Sequence, residues 1–94
     1  MCSSDLTVTV KEFEWSFTLS ANPVHCGTIT FVQTNTGGTQ HNFDVGGIAV
    51  GAIIQPGQST TTVATLSPGT YSYQCDIEGH AALGMTGSLT VTSG

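Results

Sequence analysis

Three residues that can bind a metal ion lie close together in the second half of the sequence. Cys75, His80 and Met85 are separated by four residues in each case, and another histidine, His41, lies upstream beside Asn42. Thiolate and thioether ligands suit Cu(I), while imidazole binds copper in either oxidation state. Two histidines, one cysteine and a weak axial methionine form the trigonal copper site of electron-transfer proteins. The residue types therefore predict a mononuclear copper site.

The segments that carry these residues are predicted to be β-strands joined by loops. Residues 71–75 alternate between large and polar side chains, which is typical of a strand with one buried face. Residues 76–84 contain two glycines and no such alternation, so they predict a loop, and residues 88–91 predict the next strand. A short alternating run over residues 41–45 would place His41 on an inward face.

The N-terminal part of the sequence contains a change of phase. Residues 6–10 alternate between apolar residues and threonine, but Lys11 and Glu12 are both polar, and the alternation resumes on the other parity over residues 13–17. A strand that changes parity needs a bulge or a bend. We therefore expect one irregular strand in this segment.

The composition predicts an all-β protein. Threonine, serine, valine and glycine are abundant, whereas the long-chain residues that favour helices are scarce. Further strands are predicted over residues 28–32 and 59–66, and a glycine-rich apolar connection spans residues 46–57. Six to eight short strands separated by turns indicate a Greek-key β-sandwich, with residues 1–94 forming one domain.

The charge balance excludes several classes of partner. The sequence contains one lysine, no arginine and six acidic residues, which gives a formal net charge of −5. Without a basic stripe, neither nucleic acid nor an anionic membrane surface is an expected partner. No apolar run approaches the roughly 18 residues of a membrane span, so we expect no transmembrane segment.

The three cysteines permit more than one interpretation. Because their number is odd, at least one of Cys2, Cys26 and Cys75 is unpaired, intermolecular or bound to another group. Tyr73 and Cys75 also match the tyrosine corner of immunoglobulin domains, with Cys26 as a disulfide partner. That pattern needs a tryptophan between the two cysteines, whereas the single tryptophan, Trp15, precedes both. A metal-free adhesion domain of this kind is therefore disfavoured.

The same residue types could also serve zinc binding or catalysis. Cysteine and two histidines could bind Zn²⁺, but structural zinc sites prefer four nitrogen, sulfur or oxygen donors and do not use a thioether. A nucleophilic Cys–His pair would need an oxyanion hole and a substrate pocket, for which so small a β domain offers no sign. His25, next to Cys26, is interpreted as a surface residue.

The sequence resembles the cupredoxins, or type 1 blue-copper proteins, over nearly its whole length. The segment Tyr73-Gln74-Cys75 followed by His80 and Met85 carries the most specific part of the resemblance, and its spacing is similar to that of the rusticyanin and auracyanin ligand loops. The remaining matches are the strand at 27–35 followed by Gly37, the pair His41-Asn42, the turn at 68–71 and the closing strand at 87–91.

The resemblance implies a specific role for each site residue. His41, Cys75 and His80 would be the equatorial ligands of one copper ion per chain, which cycles between Cu(I) and Cu(II), and Met85 would be the axial ligand. Asn42 would connect the two ligand loops by hydrogen bonds and direct its backbone N–H at the cysteine sulfur, a role of the kind that orients metal ligands. The protein would be an electron carrier and not an enzyme.

The resemblance also predicts partners and location. Redox proteins would dock near His80, Ala81, Ala82 and Leu83, because in this family the C-terminal histidine ligand provides the shortest path for electrons from copper to the surface. His80 is expected in an exposed loop. The apolar connection 46–57 would partly bury beneath the copper and partly extend this patch. A monomer exported to the periplasm, the cell surface or the medium is expected. A different possibility is a copper storage or delivery module, or the copper domain of a larger oxidase.

The pairing of the other two cysteines stays open at this level. In cupredoxin-like sandwiches the first strand runs beside and parallel to the strand that here begins near Gly27, so Cys2 and Cys26 should lie at the same end. They would then form a disulfide, which suits an exported protein. Alternatively, Cys2 followed by two serines is the lipidated start of a bacterial lipoprotein, which would provide a lipid anchor.

Overall fold

The computed structural model describes residues 2–93, which form two β-sheets and one short 3-10 helix. The all-β class predicted from the composition is confirmed. Within the described residues, no helix is long and apolar enough to cross a membrane. The strands are β1 (Ser4–Phe13), β2 (Ser16–Leu19), β3 (Val24–His25), β4 (Gly27–Asn35), β5 (Asp44–Val45), β6 (Ala49–Val50), β7 (Ser59–Leu66), β8 (Gly69–Gln74) and β9 (Thr86–Thr92), and the 3-10 helix is Ala81–Leu83.

The strands are distributed over a four-stranded and a five-stranded sheet. The first sheet has the order β2-β1-β4-β7 and the second the order β3-β9-β8-β5-β6. β1 and β4 run parallel, as expected from the resemblance, with Ser4 opposite Gly27. The described residues contain nine strands instead of six to eight, since β3, β5 and β6 span two residues each and are too short to show an alternating pattern.

The core lies between the two sheets and continues up to the predicted metal ligands. Inward residues of β1, β4, β8 and β9 contribute apolar side chains that bury against one another. The Phe43 ring is 5.1–5.4 Å from the rings of Phe17, Phe31 and Tyr73. Such pairs contribute about 0.5–1.5 kcal/mol each beyond their buried area. Because Phe43 follows His41 by two residues and Tyr73 precedes Cys75 by two, this cluster anchors two of the segments that carry ligands.

The predicted irregular strand over residues 6–17 is wrong. β1 runs without interruption to Phe13, the chain reverses, and β2 pairs antiparallel with it, with Glu12 opposite Phe17. Glu12 continues the inward parity of Val8 and Val10 and is 0% exposed. Because Glu12 is charged although it points inward, the alternation of apolar and polar residues is interrupted at this position while the strand continues. The interruption predicted a bulge or a bend, and the hairpin that follows was missed.

A disulfide joins Cys2 to Cys26 at the start of the parallel pair β1 and β4. The Ser4 N–H donates a hydrogen bond to the Cys26 carbonyl oxygen, 3.1 Å away. A side chain at Gly27, whose φ is +138°, would overlap the Ser4 backbone, so glycine permits this close approach. A sulfur in a disulfide cannot also carry a lipid thioether, so the structure favours the disulfide over lipidation of Cys2.

Candidate metal centre

Three of the four predicted ligands converge at one end of the sandwich. The Cys75 sulfur lies 3.4 Å from His80 Nδ1 and 4.0 Å from His41 Nδ1. All three potential ligand atoms lie within 4.8 Å of one another. An ion bound about 2.0–2.3 Å from each atom, at the centre of the triangle, would separate the ligands by roughly 3.5–4.0 Å. The arrangement therefore fits a metal ion in trigonal coordination.

The loop after β8 presents Cys75, His80 and Met85 through its own backbone hydrogen bonds. The Met85 N–H donates to the His80 carbonyl oxygen at 3.1 Å, and the Cys75 N–H donates to the Met85 carbonyl oxygen at 3.1 Å. Gly84 adopts φ = 118° at the end of the 3-10 helix, which lets the chain turn back toward Met85. Met85 is 0% exposed. Backbone hydrogen bonds within the loop thus hold the three predicted ligand residues in position relative to one another.

His41 is positioned by a different part of the chain. It lies between β4 and β5 and forms an isolated antiparallel bridge with Ile54. The two backbone hydrogen bonds of this bridge measure 3.2 Å and 2.9 Å. Ile54 is buried and His41 is 0% exposed. Part of the apolar connection therefore packs at the site, whereas Ile48, Val50 and Ile53 in the same connection are exposed.

Asn42 connects the His41 segment to the loop after β8. Its side-chain oxygen accepts the Asp76 N–H at 2.6 Å. Its side-chain NH₂ group donates to the Gly51 carbonyl oxygen at 3.2 Å and to the Asp76 carboxylate at 3.0 Å. The backbone N–H groups of Asn42 and Ile77 are hydrogen-bonded to the Cys75 sulfur. These contacts join the two segments that carry the predicted ligands.

The burial of the site affects the protonation of its ligands. Burial raises the pKa of the Cys75 thiol, and the two backbone N–H groups directed at its sulfur oppose this rise. Burial also lowers the pKa of His80, and the nearby His41 lowers it further. Neutral imidazole is the form that binds a metal ion. A bound cation would in turn provide the positive charge that a buried thiolate needs.

Two residues at the turn between β1 and β2 reach the site although the sequence did not indicate them. Glu14 Oε1 lies 2.9 Å from His41 Nε2. The indole ring of Trp15 packs edge-on against the imidazole of His80, with ring centroids 4.7 Å apart. The sequence would have indicated these contacts only if Glu12 had been interpreted as an inward residue. β1 would then continue through residue 12, and the chain would have to reverse direction just after it.

The exposure of the loop differs from the sequence-based expectation. His80 was expected to be exposed, but only 8% of its surface is accessible, because Trp15 packs against it. Leu83 is 58% exposed and Trp15 is 36% exposed. His25 lies outside this cluster, and its Nδ1 is 3.1 Å from the Thr92 hydroxyl. The indole of Trp15 and the 3-10 helix thus contribute to the outer surface near His80.

Comparisons with known proteins agree with this architecture. A family model described as a cupredoxin-like domain matches residues 3–91. No curated protein sequence is significantly similar to the chain. Among solved structures, auracyanin B superposes with a TM-score of 0.78 at 24% identity, and the alignment covers 96% of this chain and 91% of auracyanin B.

Two further auracyanins are similar in fold. The dithionite-reduced auracyanin of Roseiflexus castenholzii has a TM-score of 0.77 at 23% identity, covering 98% of this chain and 99% of its own. Auracyanin A of Chloroflexus aurantiacus, described as a "blue" copper protein, has a TM-score of 0.75 at 22% identity, covering 92% and 99%. At such identities, these likenesses establish a shared fold.

Proposed function

The chain belongs to the cupredoxin-like domain family, and we propose that residues 1–94 form one such domain, which binds a single copper ion and carries one electron at a time between redox proteins. The observation that supports this proposal most directly is the triangle of His41 Nδ1, Cys75 Sγ and His80 Nδ1, buried at one end of the sandwich. Auracyanin A, which shares the fold, is described as a blue copper protein.

The donor set fits copper better than zinc. In the proposed site Cys75 would supply a thiolate, and His41 and His80 would supply their Nδ1 atoms. Met85, which is fully buried and hydrogen-bonded through its backbone to Cys75 and His80, would supply a weakly binding thioether. This combination of soft and borderline ligands accommodates both Cu(I) and Cu(II). Bound copper would supply the change in oxidation state, and the protein supplies geometry and a dry environment.

The hydrogen-bond framework around the ligands suits rapid electron transfer. Cys75, His80 and Met85 are joined by backbone hydrogen bonds, and Asn42 connects His41 to the same loop. Ligands held in this way move little when the charge of the metal changes. The two N–H groups directed at the Cys75 sulfur favour its thiolate form, which is the form that would bind copper.

The surface near His80 is the proposed docking site for redox partners. We take it to consist of His80, Ala81, Ala82 and Leu83 together with Trp15, none of which is an acidic residue, a lysine or an arginine. The indole contacts His80 and is itself partly exposed, so it extends the short path from the ligand to the surface. Redox partners meet over small interfaces, below about 1,200 Å². A monomer would use this patch for transient contacts.

The disulfide supports an exported location for the protein. Disulfides persist in the periplasm, on cell surfaces and in the extracellular medium and are rare in the cytosol. The Cys2–Cys26 bond is therefore consistent with electron transfer outside the cytoplasm.

Titration of the copper-free protein with Cu(II) tests the proposal. We expect an intense visible absorption from charge transfer between the Cys75 thiolate and copper, at one equivalent per chain. Cys75→Ser should abolish the band, whereas His25→Ala, which removes an imidazole outside the cluster, should retain it. The absence of such a band in the unaltered protein would refute the copper site. Copper binding without electron self-exchange would instead indicate a storage or delivery module.

A further inference from the structure

The Glu14 carboxylate holds the side of the His41 ring that faces away from the other ligands. Glu14 Oε1 lies 2.9 Å from His41 Nε2, across 27 residues of sequence, while His41 Nδ1 faces the Cys75 sulfur at 4.0 Å. A deprotonated carboxylate can only accept a hydrogen bond, so Nε2 must carry the proton. In the neutral ring the lone pair then lies on Nδ1, the nitrogen directed at the metal position.

The carboxylate is itself fixed by the segment that precedes His41. The same oxygen of Glu14 accepts hydrogen bonds from the Gly38 N–H at 2.8 Å, the Thr39 N–H at 3.0 Å and the Thr39 hydroxyl at 3.2 Å. These donors and the His41 hydrogen bond all converge on one carboxylate oxygen, and hydrogen bonds of this kind favour the charged form of a carboxyl group. Glu14 is therefore a negatively charged acceptor beside His41.

The glycine at position 37 leaves the space that the carboxylate occupies. A Cβ atom built at Gly37 would overlap the Glu14 carboxylate. The backbone at Gly37 has no positive φ, so alanine is compatible with the local conformation. An added methyl group at this position would therefore displace the carboxylate without changing the charge of the protein.

We propose that Glu14 is a positioning residue of the copper site: its carboxylate fixes the orientation and tautomer of His41, and its charge, transmitted through the imidazole, stabilises the oxidised copper. This inference rests on the function proposed above. Carboxylates that bind the second nitrogen of a ligand histidine raise the basicity of that ligand, and their removal typically costs 10–100-fold in metal affinity. A more basic ligand favours Cu(II) over Cu(I), and the reduction potential measures this preference.

The central test compares reduction potentials of copper-loaded variants. Glu14→Gln keeps the shape of the side chain and its acceptor oxygen but removes the charge. We expect the visible band to persist and the ratio of Cu(II) to Cu(I) affinity to fall about tenfold, which raises a one-electron potential by about 59 mV. Gly37→Ala should shift the potential in the same direction although the net charge is unchanged.

Glu78→Gln is the matched control. Glu78 lies exposed in the ligand loop and forms no hydrogen bond or ion pair with the other described residues. Glu78→Gln removes one negative charge, as Glu14→Gln does, but from a residue that does not contact His41. We expect it to shift the reduction potential by less than about a third of the shift seen for Glu14→Gln. An equal shift of the reduction potential in both variants would show that Glu14 acts only through its charge and not through its contact with His41. That result would overturn the proposal. An unchanged potential in Glu14→Gln with an intact band would overturn it as well.

A second measurement does not depend on copper. In the copper-free protein at neutral pH, nitrogen-15 NMR should show a proton on His41 Nε2 that exchanges slowly with water. Glu14→Ala should accelerate this exchange at least tenfold, and an unchanged rate would refute the positioning role. If the unaltered protein gave no blue copper band, the proposed function would fail, and this measurement would still decide whether Glu14 fixes the His41 ring.

Discussion

The buried carboxyl of Glu12 should make the protein less stable as the pH rises from acidic to neutral. Glu12 is 0% exposed, and neither of its carboxyl oxygens has a hydrogen-bond partner among the described residues. Burial without compensation disfavours the charged form and raises the pKa of Glu12 to about 7. In the unfolded chain the same carboxyl returns to its ordinary value of 4.5.

The sign and size of the effect follow from these two values. Between pH 4.5 and about 7 the folded protein retains a proton that the unfolded chain has released, so the free energy of unfolding falls as the pH rises. Each pH unit in this window costs about 1.4 kcal/mol, which amounts to about 3 kcal/mol in total. The stabilising contribution is complete below the window and absent above it.

Glu12→Gln removes the titration and keeps nearly the same volume. We expect the variant to gain about 3 kcal/mol relative to the unaltered protein when the pH is raised from 4 to 8. Urea unfolding of the copper-free proteins at both pH values measures this difference, since contributions from groups that do not interact with Glu12 cancel. Asp5→Asn, an exposed carboxylate on the same strand, is the control and should show no comparable change. A pH-dependent gain below about 1 kcal/mol for Glu12→Gln would refute the argument.

Three further predictions concern the ligands, the disulfide and the surface. Met85→Leu should retain the visible band and raise the reduction potential, because it removes a weak donor to the oxidised copper; loss of copper would contradict the axial assignment. Unfolding without reductant should expose one reactive thiol, and Cys26→Ser should lower the free energy of unfolding by about 3 kcal/mol; three reactive thiols would exclude the Cys2–Cys26 bond. Leu83→Asp should slow electron self-exchange at least tenfold with an intact spectrum, whereas Val63→Asp, an equally exposed position on β7, should leave the rate unchanged.

The candidate site was largely predictable because its ligands are chemically specific and close in sequence. Cys75, His80 and Met85 lie within one loop, so the chain itself brings them together whatever the details of packing. The alternation of residues 71–75 and 88–91 likewise predicts the strands on either side of that loop. The common end for Cys2 and Cys26 followed from the parallel pairing implied by the resemblance, and the structure confirms it.

The contacts that surround the ligands depended on the tertiary structure. An alternating pattern shows which positions share a face, but it assigns polar residues outward, so it could not place Glu12 in the interior. The hairpin of β1 and β2 brings Glu14 to His41 and Trp15 to His80. The members of each pair lie far apart in the sequence, so no local pattern could have predicted these contacts. By itself, the sequence determined the fold class and the identity of the candidate ligands. How the imidazoles are oriented, charged and shielded was decided only by packing, because those properties depend on which distant side chains the sheet pairing brings into contact.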